Sequence, residues 1–280
     1  MTDDLTIWGE THILEVARTA PHLVREVLVD DNPRRQADFL GELSKLKIPV
    51  RAGQRLDLQR MAGEEARFPL ALLKPFPYVG LEEMLRTKPP AVVAAASAAV
   101  SPASADSPSP PGPRTPDPGP RLFLVALDEV TDPGNLGAII RTVRFFGGAG
   151  LILPEHRSAA VTSAVLRRSA GAAFQLPVAR VTNLTRCLEQ LKEAGFWIYG
   201  TGLGGKRTIW EEKYPEKSCF VLGSEGKGMR PTVAGACDEI LSLPGQFESL
   251  NVAAFSSVLL YEWSRQIPSA ALPSSPQKKP

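Results

Sequence analysis

Cysteine is scarce in this 280-residue chain, and so is histidine, with three of each. Cys187, Cys219 and Cys237 lie too far apart for a C-x-x-C pair or a zinc framework, and His12, His22 and His156 are equally scattered. This excludes a disulfide scaffold and argues against a metal site; reduced, partly buried thiols are the expectation. Long apolar runs are missing as well. None approaches the roughly 20 residues a membrane helix needs, so no membrane partner is expected. Nor is there an excess of charge of one sign: 32 basic residues stand against 30 acidic ones, a net charge of +2. Any nucleic-acid surface must then be a local patch instead of a global field. The acidic start Met1–Leu5 lacks the basic opening and apolar core of a leader, and the chain reads as cytoplasmic.

What is present is ordinary in bulk. Hydrophobic residues make up 43% and charged residues 22%, as in a globular protein with room for one large domain or two modest ones. Locally the composition is uneven. From Lys88 to Pro120 the chain is almost all Pro, Ala, Ser and Gly. Such a stretch cannot bury enough apolar area to offset its ordering entropy. The expected organisation is a small α/β domain over 1–86, a flexible Pro/Ala/Ser-rich linker over 87–120, a larger α/β domain over 121–267 and a disordered tail over 268–280. A transient helix over Ala91–Val100 is compatible with the linker.

The pattern predicts helices over Glu10–Ala20 and Arg34–Leu46, and strands at Arg25–Asp30, Ile48–Arg51 and Phe68–Leu73. In the larger domain, Leu122–Leu127 is a continuous apolar run of the kind that forms a strand covered on both faces. Further strands are expected at Leu151–Leu153, Phe196–Tyr199, Phe220–Leu222 and Ile240–Leu243. Helices are expected from about Asn135, over Ser158–Ala170, Leu184–Ala194 and Val252–Gln266; Met229–Ala236 can also be helical. This alternation implies a mainly parallel sheet with helices on both faces.

Three segments put Gly, Asn, Ser or Glu at the mouth of a helix straight after an apolar strand: Asp132–Arg141, Leu222–Met229 and Leu243–Val252. An open α/β sheet binds ligands there, outside the carboxyl ends of its strands. Asp132 and Pro133 read as a plain helix start. Asn135 and Arg141 do not. Arg141 lies off the Leu136/Ile140/Val143 stripe and is either a solvated arginine or a guanidinium for a phosphate or ribose. Glycines 223, 226 and 228 fit a tight turn, but that leaves Glu225 among them unexplained. Ser249 is a plausible helix cap; Asn251 beside it has no need to be Asn for capping. Gly200–Gly205 fits G-x-G-x-x-G and nearly a P-loop. No helix is expected to open on it, however, and Arg207 stands where Ser or Thr would bind magnesium. Dinucleotide binding and NTP hydrolysis are therefore rejected.

In this order and spacing, the three segments resemble the SpoU (TrmH-like) branch of the SPOUT RNA ribose 2′-O-methyltransferases. Asp132-Pro-Gly-Asn-Leu-Gly…Arg141 matches the family's first motif, Gly223-Ser-Glu-Gly-Lys-Gly228 its second, and Pro244…Ser249-Leu-Asn-Val252 its third. Trp8–His12 through Val29 is similar to the opening of the ribosomal-protein-like RNA-binding domain many members carry. The His-Gln-Gly turn often found late in that domain is replaced here by Gly63–Phe68. The resemblance implies a C-terminal trefoil knot and S-adenosylmethionine framed by Gly223, Leu243, Leu250 and Thr201. It implies a catalytic set of Arg141, Asn135, Glu225, Ser249 and Asn251, a structured RNA substrate and a homodimer. Arg141 would act on the 2′-hydroxyl, as base or by positioning and charge. The extra N-terminal domain favours ribosomal over transfer RNA. A non-catalytic RNA-binding protein on the same fold is the alternative.

Overall fold

The computed structural model describes residues 5–30, 36–86, 121–246 and 249–266. The expected linker, its transient helix and the tail from residue 268 lie outside them.

The first lobe is a mixed sheet of β1 (Leu5–Trp8), β2 (Val24–Val29), β3 (Val50–Ala52) and β4 (Leu70–Leu73), in the order β1-β4-β2-β3. β4 runs antiparallel to both neighbours, and β2 pairs with β3 in parallel. Strand alternation sets the layers. Ala71 and Leu73 join the core made with α1 (Glu10–Thr19) and α2 (Ala37–Lys45). Leu70 and Leu72 turn the other way, onto Leu58 of α3 (Arg55–Ala62). β1 and α3 carry no clear signal in the sequence. α3 is made by a capping box between Gln54 and Asp57 and holds a single buried residue, Leu58.

After β4 the chain crosses to the second lobe. Val79 pairs with Ala179 at the sheet edge, and its N–H donates to the Val178 carbonyl at 3.0 Å. Met84 of α4 (Leu81–Arg86) is buried in the core with Leu124 and Leu191.

The second sheet has seven strands: β5 (Leu122–Leu127), β6 (Gly150–Pro154), β7 (Val178–Val181), β8 (Trp197–Thr201), β9 (Arg207–Thr208), β10 (Lys217–Leu222) and β11 (Glu239–Ser242). Their order is β7-β6-β5-β10-β8-β11-β9, and every pairing is parallel. Phe123, Val125 and Leu127 pack with α5 (Pro133–Phe145), α6 (Ser163–Arg168) and α9 (Val252–Arg265). Leu124 and Ala126 pack with α7 (Leu184–Glu193) and α8 (Pro231–Ala234). Helices therefore cover both faces, as the alternation predicts.

β7 and β9 are additional to expectation, and two helices are shorter. Of Ser158–Ala170 only Ser163–Arg168 is helical. Before it, the Ala159 N–H donates to the Val130 carbonyl and the Val161 N–H to the Tyr78 hydroxyl, so these residues bind distant partners instead of a helical turn. After it, Ala170 and Gly171 both take positive φ. In Met229–Ala236 only Pro231–Ala234 is helical, with Pro231 fixing its first turn.

Candidate functional site

β5 and β10 lie side by side at the centre of the sheet, and the chain leaves both toward the same edge. β5 leads to α5. Asp132 caps that helix, its Oδ1 accepting the Asn135 N–H at 2.7 Å, and Pro133 occupies the first turn. Helix formation thus starts two residues before Asn135 and places that side chain at the helix mouth.

β10 leads into a closed turn. Ser224 and Gly228 exchange backbone hydrogen bonds of 3.0 and 2.9 Å. A Cβ on Gly223 would lie 2.3 Å from the Gly228 carbonyl carbon, which no side chain tolerates. Gly228 has φ 69°, a region that favours glycine. Glu225 and Lys227 stand exposed on the turn.

β11 leads to α9, whose cap is Asn251 and not Ser249. The Asn251 Oδ1 accepts the N–H groups of Ala253 and Ala254 at 2.9 and 3.2 Å. Its Nδ2 is left to reach outward.

The three segments meet on one oxygen. Glu225 Oε1 accepts from Asn135 Nδ2 at 2.9 Å, from Asn251 Nδ2 at 2.6 Å and from the Val252 N–H at 3.2 Å. Asn251 Nδ2 also donates to Asn135 Oδ1 at 2.8 Å. Hydrogen bonds to an ionised acceptor are the stronger kind, so this cluster pins the carboxylate. Oε2 has no partner among the described residues.

Beside the cluster lies a cavity of about 740 Å³. Thr201, Gly223, Leu243 and Leu250 all line it, as do Glu225 and Ser249. The Thr201 hydroxyl is committed to the Val221 carbonyl at 3.0 Å, so this residue offers the cavity little beyond its stem and backbone. Met229, Ile240 and Phe255 complete an apolar wall that the sequence does not single out. Gly202–Gly204 edges the same cavity, and the chain passes from it to the short strand β9, not to a helix.

Arg141 stands apart. It is exposed on α5, does not line the cavity and has no partner among the described residues. Six residues separate it from Asn135, about 9 Å of helix rise.

Sequence reasoning misses a brace beneath the site. Asp128, fully buried at the end of β5, accepts from the Arg230 backbone N–H at 2.7 Å and from its Nε at 2.8 Å. This ties the end of β5 to the end of the 223–228 turn. An acidic residue closing an apolar strand is the available signal. Among the described residues no cluster of His, Cys, Asp or Glu could hold a metal ion, and no helix is long and apolar enough to cross a membrane.

The chain is similar to known proteins in sequence and in fold. The SpoU rRNA Methylase family model matches residues 122–261. A Mycolicibacterium gilvum protein named an uncharacterized tRNA/rRNA methyltransferase is 42% identical over 271 residues, covering 95% of this chain and 78% of that one. A Mycobacterium avium protein of the same name is 37% identical over 269 residues, covering 93% and 77%. In fold, the chain is similar to the SpoU methyltransferase AviRb from Streptomyces viridochromogenes, solved with AdoMet. The TM-score is 0.71 at 23% identity, over 94% of this chain and 90% of that one. It is similar also to an rRNA methyltransferase from Sinorhizobium meliloti, with TM-score 0.70 at 19% identity over 96% and 89%.

Proposed function

The chain belongs to the SpoU rRNA Methylase family and is an RNA methyltransferase, and from that premise we propose that it methylates a ribose 2′-hydroxyl of ribosomal RNA using S-adenosylmethionine. The observation that carries this is the meeting of Asn135, Glu225 and Asn251 at the rim of the cavity.

The cavity fits the cofactor. Its 740 Å³ is within the usual range of small-molecule sites, and its wall is apolar around a few polar groups. The Gly223 turn admits a ligand close to backbone, and Leu243, Leu250 and Thr201 would hold the adenosine portion. When bound, S-adenosylmethionine supplies an activated methyl group. The protein must then place the ribose hydroxyl in line and assist loss of its proton. Glu225, held through Oε1, turns Oε2 to the ribose, and Asn135, Asn251 and Ser249 shape the rim. Arg141 orients a phosphate and favours the ionised hydroxyl by its charge. A guanidinium holds its proton very strongly, so a role as base would require a costly neutral form.

A homodimer belongs to the same proposal. Arg141 lies outside the cavity of its own chain, which supports completion of the site by a second copy. Phe145 on α5 and Tyr261 on α9 are 80% and 59% exposed, which supports an apolar contact there. A trefoil knot at the carboxyl end is included too; the approach of residues 249–252 to the 223–228 turn and to Asn135 supports it. Cytoplasmic residence is part of the same proposal.

The test is methyl transfer from labelled S-adenosylmethionine to separated ribosomal and transfer RNA, with 2′-O-methyl positions mapped. Label on ribosomal-RNA ribose is expected, and Arg141→Ala should lower turnover about 100-fold or more. Label on bases, label on transfer RNA alone, or near-normal turnover by the variant would each overturn the corresponding part.

A further inference from the structure

Three arginines on α5 and α6 have no acidic partner among the described residues. Arg141 and Arg144 sit one turn apart on α5, and Arg168 closes α6. None of the three side chains makes a hydrogen bond or ion pair among the described residues, and the buried Nε of Arg144 has no acceptor. Elsewhere, Arg18, Arg51, Arg157, Arg207, Arg230 and Arg265 are each bound to a carboxylate.

The fold brings the three together. α6 crosses α5 at Gly137, where a Cβ would lie 2.6 Å from the Arg168 Cβ and 3.0 Å from the Val165 carbonyl oxygen. Gly137, Arg141 and Arg144 follow at i, i+4 and i+7, on one side of the helix. The stem of Arg168 therefore meets α5 about 6 Å of rise before Arg141. The start of α6 holds the first lobe, because the Ser163 hydroxyl accepts the Thr6 N–H at 2.8 Å. Arg167 is already engaged. It stacks on Trp8 at 3.8 Å, and burial lowers its pKa while the nearby Glu65 carboxylate opposes the shift. Glu15 packs over Gly171 just past α6 and pairs with none of the three among the described residues.

We infer that Arg141, Arg144 and Arg168 form a track for RNA phosphates that crosses α5 and α6 from the catalytic rim toward the first lobe; this rests on the RNA methyltransferase reading above. Unpaired guanidinium groups in a row suit a backbone carrying regularly spaced charge, and they act irrespective of base sequence. With the net charge near zero, binding to RNA calls for a local row of this kind in place of a global field.

The experiment is anisotropy titration of a labelled RNA hairpin of arbitrary sequence at several salt concentrations, with wild type, Arg168→Glu, Arg168→Gln and Arg168→Lys. Both charge-removing variants should bind more weakly, with a log–log salt slope shallower by about 0.9 for each phosphate no longer neutralised. Arg168→Lys should recover most of the affinity, and in turnover the loss should fall on KM for RNA more than on kcat. Unchanged affinity and slope in Arg168→Gln, with the wild type binding, overturns the track. A shift in sedimentation of the variants assigns Arg168 to an interface between copies and also overturns it. Failure of the wild type to bind any RNA strikes the functional reading instead.

Discussion

Asn251 and Glu225 are joined at 2.6 Å, and the amide that makes this bond also starts a helix. Its oxygen caps α9 through Ala253 and Ala254, and its nitrogen holds the carboxylate and Asn135. One side chain thus serves stability through one atom and the site through another.

The two roles are separable by substitution. Asp caps a helix as well as Asn does, so Asn251→Asp should melt close to wild type. It removes the Nδ2 donor and sets a second carboxylate against Glu225, so methyl transfer should be lost. Asn251→Ala should lose both, with about 1 kcal/mol of stability. Thermal melts beside single-turnover assays check this. An active Asn251→Asp would show that the shared hold on the carboxylate is dispensable.

The turn at Gly223 should tolerate no side chain. The required 2.3 Å approach to the Gly228 backbone forces the loop open in Gly223→Ala. The expected cost is roughly 1–3 kcal/mol, as for overpacked sites, together with loss of cofactor binding. Calorimetric titration with S-adenosylmethionine measures the second effect. Retained affinity would mean that the turn opens without harm to the cavity.

The thiols should be inert in the folded protein. Burial pushes Cys187 and Cys237 up to about 12, from an ordinary 9.0, and also raises Cys219 well above that ordinary value. The thiolate is the reactive form, so iodoacetamide at pH 8.5 should label none of the three until denaturant is added. The pH dependence has a definite sign. Unfolded thiols ionise near 9 while the folded ones stay protonated, so their contribution is complete below pH 9 and is lost as pH rises toward 12. Rapid native alkylation followed by mass spectrometry would contradict this placement.

The parts legible in the sequence are those in which local chemistry leaves one solution. The apolar run Leu122–Leu127 suits a doubly covered strand, and Asp132-Pro133 suits the opening of a helix. A Gly-Ser-Glu-Gly-Lys-Gly string after a strand must turn sharply. The hidden parts depend on distant partners. Ser158–Val161 reads as helix until Tyr78 and Val130 capture its N–H groups. The Asp128–Arg230 brace spans 102 residues, and no local window contains both ends. Capping of α9 by Asn251 instead of Ser249 depends on where the helix begins, which the closeness of the two residues in sequence does not decide. Arg141 stands out by its place in a motif and its offset from the apolar stripe. Its distance from the cavity in the same chain is a property of the tertiary arrangement alone.

Val79 and Met84 bind the second lobe, so the stretch from 87 to 120 begins and ends on one body. Its length is not what fixes the spacing of the two lobes; the short crossing from Leu73 to Val79 does that. A change in the number of residues between 86 and 121 therefore leaves the placement of the first lobe against the second untouched.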